Sequence, residues 1–454
     1  MRAVVRSGGR VEGEVRVPGD KSIAHRWLIF AASAEGRSEL SGIPSALDVA
    51  STARCMAALS GDEALASWAV DAAAEGEGER LTWNTSQPRN YKDEVHVEGE
   101  GRGALAPPSG PLDCGNSGTT MRLVSGLVAG CHFTTVLEGD EALSVRPMER
   151  IAGPLRLMGA SVATSEGHAP LEISGGGLTG IRYATLTPSS QVKGAVLLAG
   201  LAAEGETTVE ESAPTRDHTE RFLRAVGGPV AADGNSVTVS AWRYPGFSGR
   251  LPGDPSSASF VLAAGALTGG AVSVPDIGLN PTRTHFLDVM RRMGVELATE
   301  GTWESVGEPA GVIAVHGVGS GLRGTVVPAA EFPLVHDEVA VLAALATAAD
   351  GETRFEGAGE LRVKESNRLE GLADGLRGLG AGAEVQGDAL VVAGGGLSGG
   401  SADGLRDHRL AMAFVVAGLS ARAECSVDGI EWASITFPGF VATMQGLGAR
   451  LEVS

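Results

Sequence analysis

Lys21, Ser22, His25 and Arg26 stand between Pro18-Gly19-Asp20 and the apolar run Trp27–Ala32. Pro-Gly signals a turn, and Asp20 or Ser22 can cap the helix that the apolar run continues. The cations then sit where the helix already presents partial positive charge. Each costs about 0.3–1 kcal/mol there unless an anion docks beside it. A helix start carrying Lys, Ser and Arg therefore reads as an anion seat, phosphate above all. Alone, the same stretch also reads as a capped helix with a solvated Lys and Arg.

The arrangement recurs. Arg122 follows Gly115-Asn116-Ser117-Gly118-Thr119-Thr120, Lys193 follows Pro188-Ser189-Ser190-Gln191, and His408-Arg409 follow Asp407. Loops add Arg146 and Arg150 from Leu143–Arg150, Arg216 from Pro214–His218, and the charged stretch Arg362-Val363-Lys364-Glu365-Ser366-Asn367-Arg368. A ligand with several negative groups is implied, held in a cleft at which the helices of two domains aim their N-termini. Two carboxylates belong with it. Asp337, beside Glu338 after Phe332-Pro333-Leu334-Val335, is either an N-cap or, in a cationic site, an acceptor for a substrate hydroxyl proton. Glu365, next to Lys364, forms either a proton-transfer pair with it or a surface ion pair of little worth.

Behind these residues lies a repeated element. A polar cap, an Ala/Leu/Val-rich helix, a Gly turn and a Thr/Val-rich strand recur at Ser22–Leu40, Ser117–Leu137, Ser190–Glu210, Ser256–Val274, Asp337–Phe355 and Asp407–Val427. Starts roughly 65–95 residues apart suit a repeated supersecondary module. A second helix lies between copies, as in Pro147–Gly159 and Asn367–Gly380, each ending at a Leu/Met-Gly stop. The repeated helices are apolar nearly all round, so they belong inside, with sheets outside. Six units make two groups of three. The chain is expected to cross between domains near Asp20 and return near Gly249–Gly253, giving residues 1–20 with 250–454 as one domain and 21–249 as the other. The acidic, Gly-rich segment Gly61–Arg102, with Gln87-Pro88-Arg89-Asn90 inside it, reads as a surface insertion.

Composition sets the outer limits. A formal charge of −19 argues against nucleic acid or an anionic membrane as a general partner. Four scattered cysteines and nine dispersed histidines suggest neither a zinc site nor a disulfide framework, which fits a reducing cytoplasm. The start of the chain has no signal-type apolar core, and alanine-rich runs such as 258–268 are too short to span a bilayer.

Seven stretches in order, PGDKSIAHR, GNSGTTMR, LSVRPMER, SSQVK, RDHTER, RVKESNR and DHRLAM, closely resemble the 5-enolpyruvylshikimate-3-phosphate synthase (3-phosphoshikimate 1-carboxyvinyltransferase) family. The likeness runs from Pro18 to near Gly439. It implies an α/β fold of two similar domains, each of three βαβαββ units with buried helices and outer sheets, an inside-out α/β barrel. It implies transfer of the enolpyruvyl group of phosphoenolpyruvate to the 5-hydroxyl of shikimate 3-phosphate, on the route to chorismate and the aromatic amino acids. By resemblance, Lys21, Ser22, Arg26, Ser189, Ser190, Gln191, Thr215, Arg216, Asp337 and Lys364 bind shikimate 3-phosphate. Lys21, Gly118, Arg146, Gln191, Arg368 and Arg409 hold phosphoenolpyruvate. Asp337 matches the acid/base and Glu365 a proton donor, with Lys21 also counted as catalytic. No cofactor or metal is expected. The partners are the two small-molecule substrates, with no nucleic acid or membrane, for a cytoplasmic monomer.

Three positions depart from the family's pattern. Ala24 and Thr215 stand where Ser is usual, and Ile435 stands where many members carry a Lys before Thr436-Phe437-Pro438. The sister enzyme acting on UDP-N-acetylglucosamine is the nearest rival, but it typically opens with Lys-Asn and uses a loop Cys, and neither is matched here. The other rival is an inactive anion-binding homologue, against which the retained Asp337, Lys364 and Glu365 count.

Overall fold

The protein is described from a computed structural model, which covers residues 1–82, 94–317 and 321–454. Six interior helices correspond to the six repeats: α1 (Lys21–Ala32), α2 (Gly118–Ala129), α3 (Ser190–Gly200), α4 (Pro255–Thr268), α5 (Val339–Ala346) and α6 (His408–Gly418). Almost every residue in them is buried, as helices without a polar face require. Asp20, Ser117, Ser189, Asp254 and Asp407 cap five of them by accepting from a backbone N–H in the first turn. Of the two caps considered for α1, Asp20 is the one used.

Four of the interior helices, α2, α3, α5 and α6, are crossovers between two parallel strands of one sheet. Leu112–Asp113 leads through α2 to Thr134–Glu138, and Val326–Val327 leads through α5 to Glu352–Phe355. An antiparallel hairpin completes most sheets, as His168–Ser174 and Ser161–Ser165 do beside Thr134–Glu138. Among the described residues six sheets result, five of four strands and one of three. The hydrophobic residues separate into two cores, one drawn from residues 23–251 and the other from 3–17 and 258–451. The fold is α/β with two similar domains, helices inside and sheets outside.

The join between these lobes is an exchange. Gly13–Glu14, just ahead of α1, pairs with Ala271–Gly278 in the sheet after α4, whereas Ser248–Arg250, ahead of α4, pairs with Glu35–Ser41 after α1. The two crossing segments run antiparallel at Gly19 and Gly253. Asp20 N–H donates to Pro252 O at 2.8 Å, and Asp254 N–H to Pro18 O at 2.7 Å. A β-carbon on Gly19 would stand 2.1 Å from Gly42 O, so only glycine fits there.

The surface-insertion reading of Gly61–Arg102 needs correction at both ends. Glu63–Thr82 is a helix whose Leu65, Trp68, Ala69 and Ala72 are buried at i, i+3, i+4 and i+7 spacing. Val95–Glu100 pairs antiparallel with Glu35–Ser41 and buries Val95 and Val97. The acidic, Gly-rich composition of the segment hid that stripe. Gln87-Pro88-Arg89-Asn90 lies outside the described residues. Among the described residues no helix is long and apolar enough to cross a membrane.

Candidate active site

Where the lobes face each other they enclose a cavity of roughly 490 Å³. Its lining includes Lys21, Ser22, Arg26, Arg146, Ser189, Ser190, Gln191, Thr215, Arg216, Asp337, Lys364, Glu365 and Arg409. Thirteen of the fifteen site residues expected from sequence thus meet on one wall or another. Gly118 and Arg368 lie just behind the lining. Gly118 opens α2, and a β-carbon there would come within 2.9 Å of Arg122 Nη1 and 3.2 Å of Arg146 Nη1. Its lack of a side chain lets both guanidiniums reach the helix start.

Asp337 occupies the electrostatic centre. It does not cap α5; the cap position is Glu338, with no side-chain cap bond. Glu338 is buried and turned away, accepting from Ser256 Oγ. The Asp337 carboxylate pairs with Arg216 from the other lobe, with Arg409 Nη2 at 3.5 Å and with Arg368 Nη1 at 4.0 Å. Arg409 Nη1 also donates to the Asp337 carbonyl at 2.6 Å. Burial opposes ionisation of Asp337. Arg409, His336, Arg216 and Lys364 overcome it and hold the carboxyl well below its ordinary value.

Glu365 lies beside a second cationic group. Its carboxylate accepts from Arg368 Nη2 at 2.5 Å and lies 3.7 Å from Arg146 Nη1. Burial again opposes ionisation, and Arg368 and Arg146 reverse it, holding the group well below its ordinary value. Glu365 therefore pairs with arginines and not with its sequence neighbour Lys364. Lys364 lines the cavity with its ammonium held below the usual lysine value, by burial first and against the pull of Asp337.

The remaining side chains are positioned by protein contacts. Lys21 Nζ pairs with buried Asp48 at 2.8 Å. Arg216 Nη1 donates to Ser22 Oγ at 2.9 Å. Gln191 accepts from Arg122 at 2.5 Å and donates to Thr119 Oγ1 at 2.8 Å. Arg26 donates to Thr219 Oγ1 and to the carbonyls of Ser22 and Ser190, and burial lowers its pKa to about 10. It therefore fixes the start of α3 against α1. Arg368 is buried against Asp407 at 2.8 and 3.1 Å, and its Nη1 is buried without a hydrogen-bond partner.

One expected anion-seat cation is placed elsewhere. Lys193 is buried between Glu211 and Glu220, each at 2.7 Å. Glu211 in turn accepts from Thr215 Oγ1, so this group underpins the Thr215-Arg216 loop. Sequence reasoning missed those partners, along with Asp48, Arg283 and the pairing of Arg368 with the cap residue Asp407. Arg283 bridges the caps of α1 and α4, with Asp20 at 2.6 Å and Asp254 at 2.7 Å. Ile435 is buried in the 3-10 turn Ile430–Ile435 and is not part of the lining. Among the described residues no cluster of three or more His, Cys, Asp or Glu is arranged to hold a metal ion.

The family model described as EPSP synthase (3-phosphoshikimate 1-carboxyvinyltransferase) matches residues 5–90 and 79–444. The chain belongs to the EPSP synthase family. A family member from Methylococcus capsulatus, a 3-phosphoshikimate 1-carboxyvinyltransferase, is 42% identical over 451 residues, covering 98% of this chain and 97% of its own length. One from Acidithiobacillus ferrooxidans is 41% identical over 455 residues, covering 100% of this chain and 99% of its own. The EPSP synthase structure from Acinetobacter baumannii superposes with a TM-score of 0.84 at 38% identity, covering 100% and 99% of the two chains. The enolpyruvyl transferase NikO from Streptomyces tendae shares the fold at a TM-score of 0.76 and 18% identity, covering 99% of this chain and 98% of its own.

Proposed function

We infer that the protein transfers the enolpyruvyl group of phosphoenolpyruvate to the 5-hydroxyl of shikimate 3-phosphate, releasing phosphate. The observation that carries this reading is Asp337, a carboxylate kept ionised among Arg216, Arg368 and Arg409 in a cavity lined by both lobes. Shikimate 3-phosphate lies against Lys21, Ser22, Ser189, Ser190 and Thr215-Arg216, with Lys364 from the facing lobe. Phosphoenolpyruvate takes the guanidiniums of Arg146, Arg368 and Arg409, whose planar forks suit carboxylate and phosphate. Lys21 and Gln191 lie between the two substrates. These arginines meet the substrate's charge, so the reading calls for no metal.

In the reaction, the hydroxyl oxygen bonds to the alkene carbon bearing the phosphate as the hydroxyl proton passes to Asp337. The terminal alkene carbon gains a proton, for which Glu365 and Lys364 are placed. The tetrahedral adduct then loses phosphate while that carbon gives a proton back. Arg368 and Arg146 keep Glu365 ionised. It becomes a donor only once phosphoenolpyruvate neutralises Arg146 and Arg368.

Residues 1–20 with 250–454 and 21–249 act as the two closing domains, in a cytoplasmic monomer. The separate cores and the paired crossing strands support that division. The test is phosphate release from phosphoenolpyruvate with either shikimate 3-phosphate or UDP-N-acetylglucosamine. Release with the first alone is expected; release with the second alone overturns the assignment.

A further inference from the structure

The two carboxylate oxygens of Asp337 have different surroundings. The shortest contacts from Arg216 and Arg409 both go to Oδ2. Oδ1 is approached by Arg368 Nη1 at 4.0 Å and, closer, by His336 Nε2 at 3.5 Å. With two guanidiniums on Oδ2, Oδ1 is the oxygen better placed to take up a proton.

His336 lines the cavity with its neighbour Asp337. It follows the single helical turn Phe332–Val335, and its ring folds back on that turn. Nδ1 lies 2.9 Å from the carbonyl oxygen of Pro333. A carbonyl only accepts, so Nδ1 carries the ring hydrogen and the neutral ring leaves Nε2 bare. A bare nitrogen and a carboxylate oxygen therefore face each other with no proton between them. Their 3.5 Å separation is longer than a hydrogen bond, as two opposed lone pairs require. One proton arriving there has an acceptor on either side.

The charges around the ring come from three segments. Asp337 is its chain neighbour, Lys364 follows the 358–363 turn, and Arg216 reaches in from the other lobe. Burial, with Lys364 and Arg216, lowers the ring to about 3, against the pull of Asp337 and the Pro333 carbonyl. The ring is thus neutral at pH 7. Asp337, held well below its ordinary value, is by itself a poor place to keep a proton. Shikimate 3-phosphate, by the contacts assigned above, meets Lys364 and Arg216 and offsets two charges that keep a proton off the ring.

We propose that His336 serves the reaction through Asp337, as a positioning residue whose bare Nε2 shares the hydroxyl proton arriving at Oδ1. The proposal rests on the function inferred above. As the hydroxyl oxygen bonds to the alkene carbon, its proton passes to Oδ1 and on to Nε2. The ring becomes an imidazolium that still donates from Nδ1 to Pro333. When the bond from that carbon to the phosphate oxygen breaks, the oxygen keeps the electron pair. The proton then returns through Oδ1 to the departing phosphate, and the ring ends each turnover neutral.

The experiment joins ring-nitrogen NMR of histidine-labelled enzyme with steady-state kinetics of His336→Gln and His336→Phe. Gln keeps a polar side chain that cannot hold the proton, and Phe keeps the ring's bulk without its nitrogens. The signals of His336 are those that either variant loses. Without substrate at pH 7, they should show a neutral ring with its hydrogen on Nδ1. Both variants should lower kcat about ten- to a hundredfold, with both KM values and the Kd for shikimate 3-phosphate within about threefold. Added to Asp337→Asn, His336→Gln should cost less than about twofold more, because the ring then has no proton to receive. A hydrogen on Nε2, a kcat within about twofold of the parent, or a full additive loss on top of Asp337→Asn overturns the proposal. So does a raised KM with kcat preserved, which would leave the ring as a wall of the cavity. If one variant fails to fold, the other carries the kinetic comparison. A parent enzyme that releases no phosphate with shikimate 3-phosphate refutes the assigned reaction and this proposal with it. A parent that turns over normally alongside any of the contrary results refutes the proposal alone.

Discussion

Gly118 shows how much of the site depends on single atoms. Its position at the start of α2 leaves room for Arg122 and Arg146, and an added methyl would sit 2.9 and 3.2 Å from their terminal nitrogens. Both obstacles are the far ends of flexible side chains, so the fold should tolerate Gly118→Ala while the guanidiniums shift. A 1 Å misplacement of a binding group is costly to catalysis. Steady-state kinetics should show KM for phosphoenolpyruvate raised about tenfold or more, with KM for shikimate 3-phosphate changed less than about threefold. Equal effects on both would place Gly118 outside the phosphoenolpyruvate subsite. Residues such as Gly118, Arg146 and Asp337 are legible in sequence because their motifs are local. Lys193 was misread because its partners, Glu211 and Glu220, come from downstream elements and show no pattern with it. Arg283 is illegible for the same reason, since Asp20 lies 263 residues away along the chain.

At the scale of elements, six capped apolar helices are readable because caps and periodicity are local signals. The exchange of short strands between the two lobes is not, since Gly13–Glu14 and Ser248–Arg250 are too short to carry a pattern. Beside that join, His218 at the start of the helix His218–Ala225 meets Glu308 at the start of the strand Glu308–His316, at 2.7 Å. Asn280 donates to the other Glu308 oxygen at 3.1 Å. Burial raises Glu308 to about 7 and drives His218 well below its usual value, so the pair is neutral. The folded Glu308 holds a proton up to about pH 7, whereas the unfolded one releases it near 4.5. Its contribution to stability is therefore full in acid and lost as pH rises towards 7. Glu308→Gln imitates the protonated acid at every pH and removes that gain. Urea unfolding should show the variant losing stability relative to the parent as pH falls from about 7 to 5, by roughly 1.4 kcal/mol per pH unit. A constant difference across that range would mean that Glu308 is ionised in the native state.

For the whole molecule, two cores joined by two crossing strands need not melt together. Arg216 and Ser22 belong to one lobe, and Asp337 and Lys364 to the other, so a ligand touching all four couples the lobes. Calorimetry should show two overlapping transitions without ligand and one sharper, later transition with shikimate 3-phosphate. At a hundredfold excess over Kd the added stability is about 2.7 kcal/mol. One unshifted transition under both conditions would mean that the ligand does not bridge the lobes. Affinity spread over two lobes also separates binding from chemistry. Asp337 contributes one of many contacts to binding, yet it is the carboxylate assigned to the hydroxyl proton. Asp337→Asn keeps the shape and an acceptor for Arg216 but cannot take up that proton. The decisive measurement is turnover of this variant beside its affinity for shikimate 3-phosphate. Phosphate release should fall about 10²–10⁴-fold while Kd stays within about tenfold. Near-normal turnover with weakened binding would contradict the account and leave Asp337 as a ligand only.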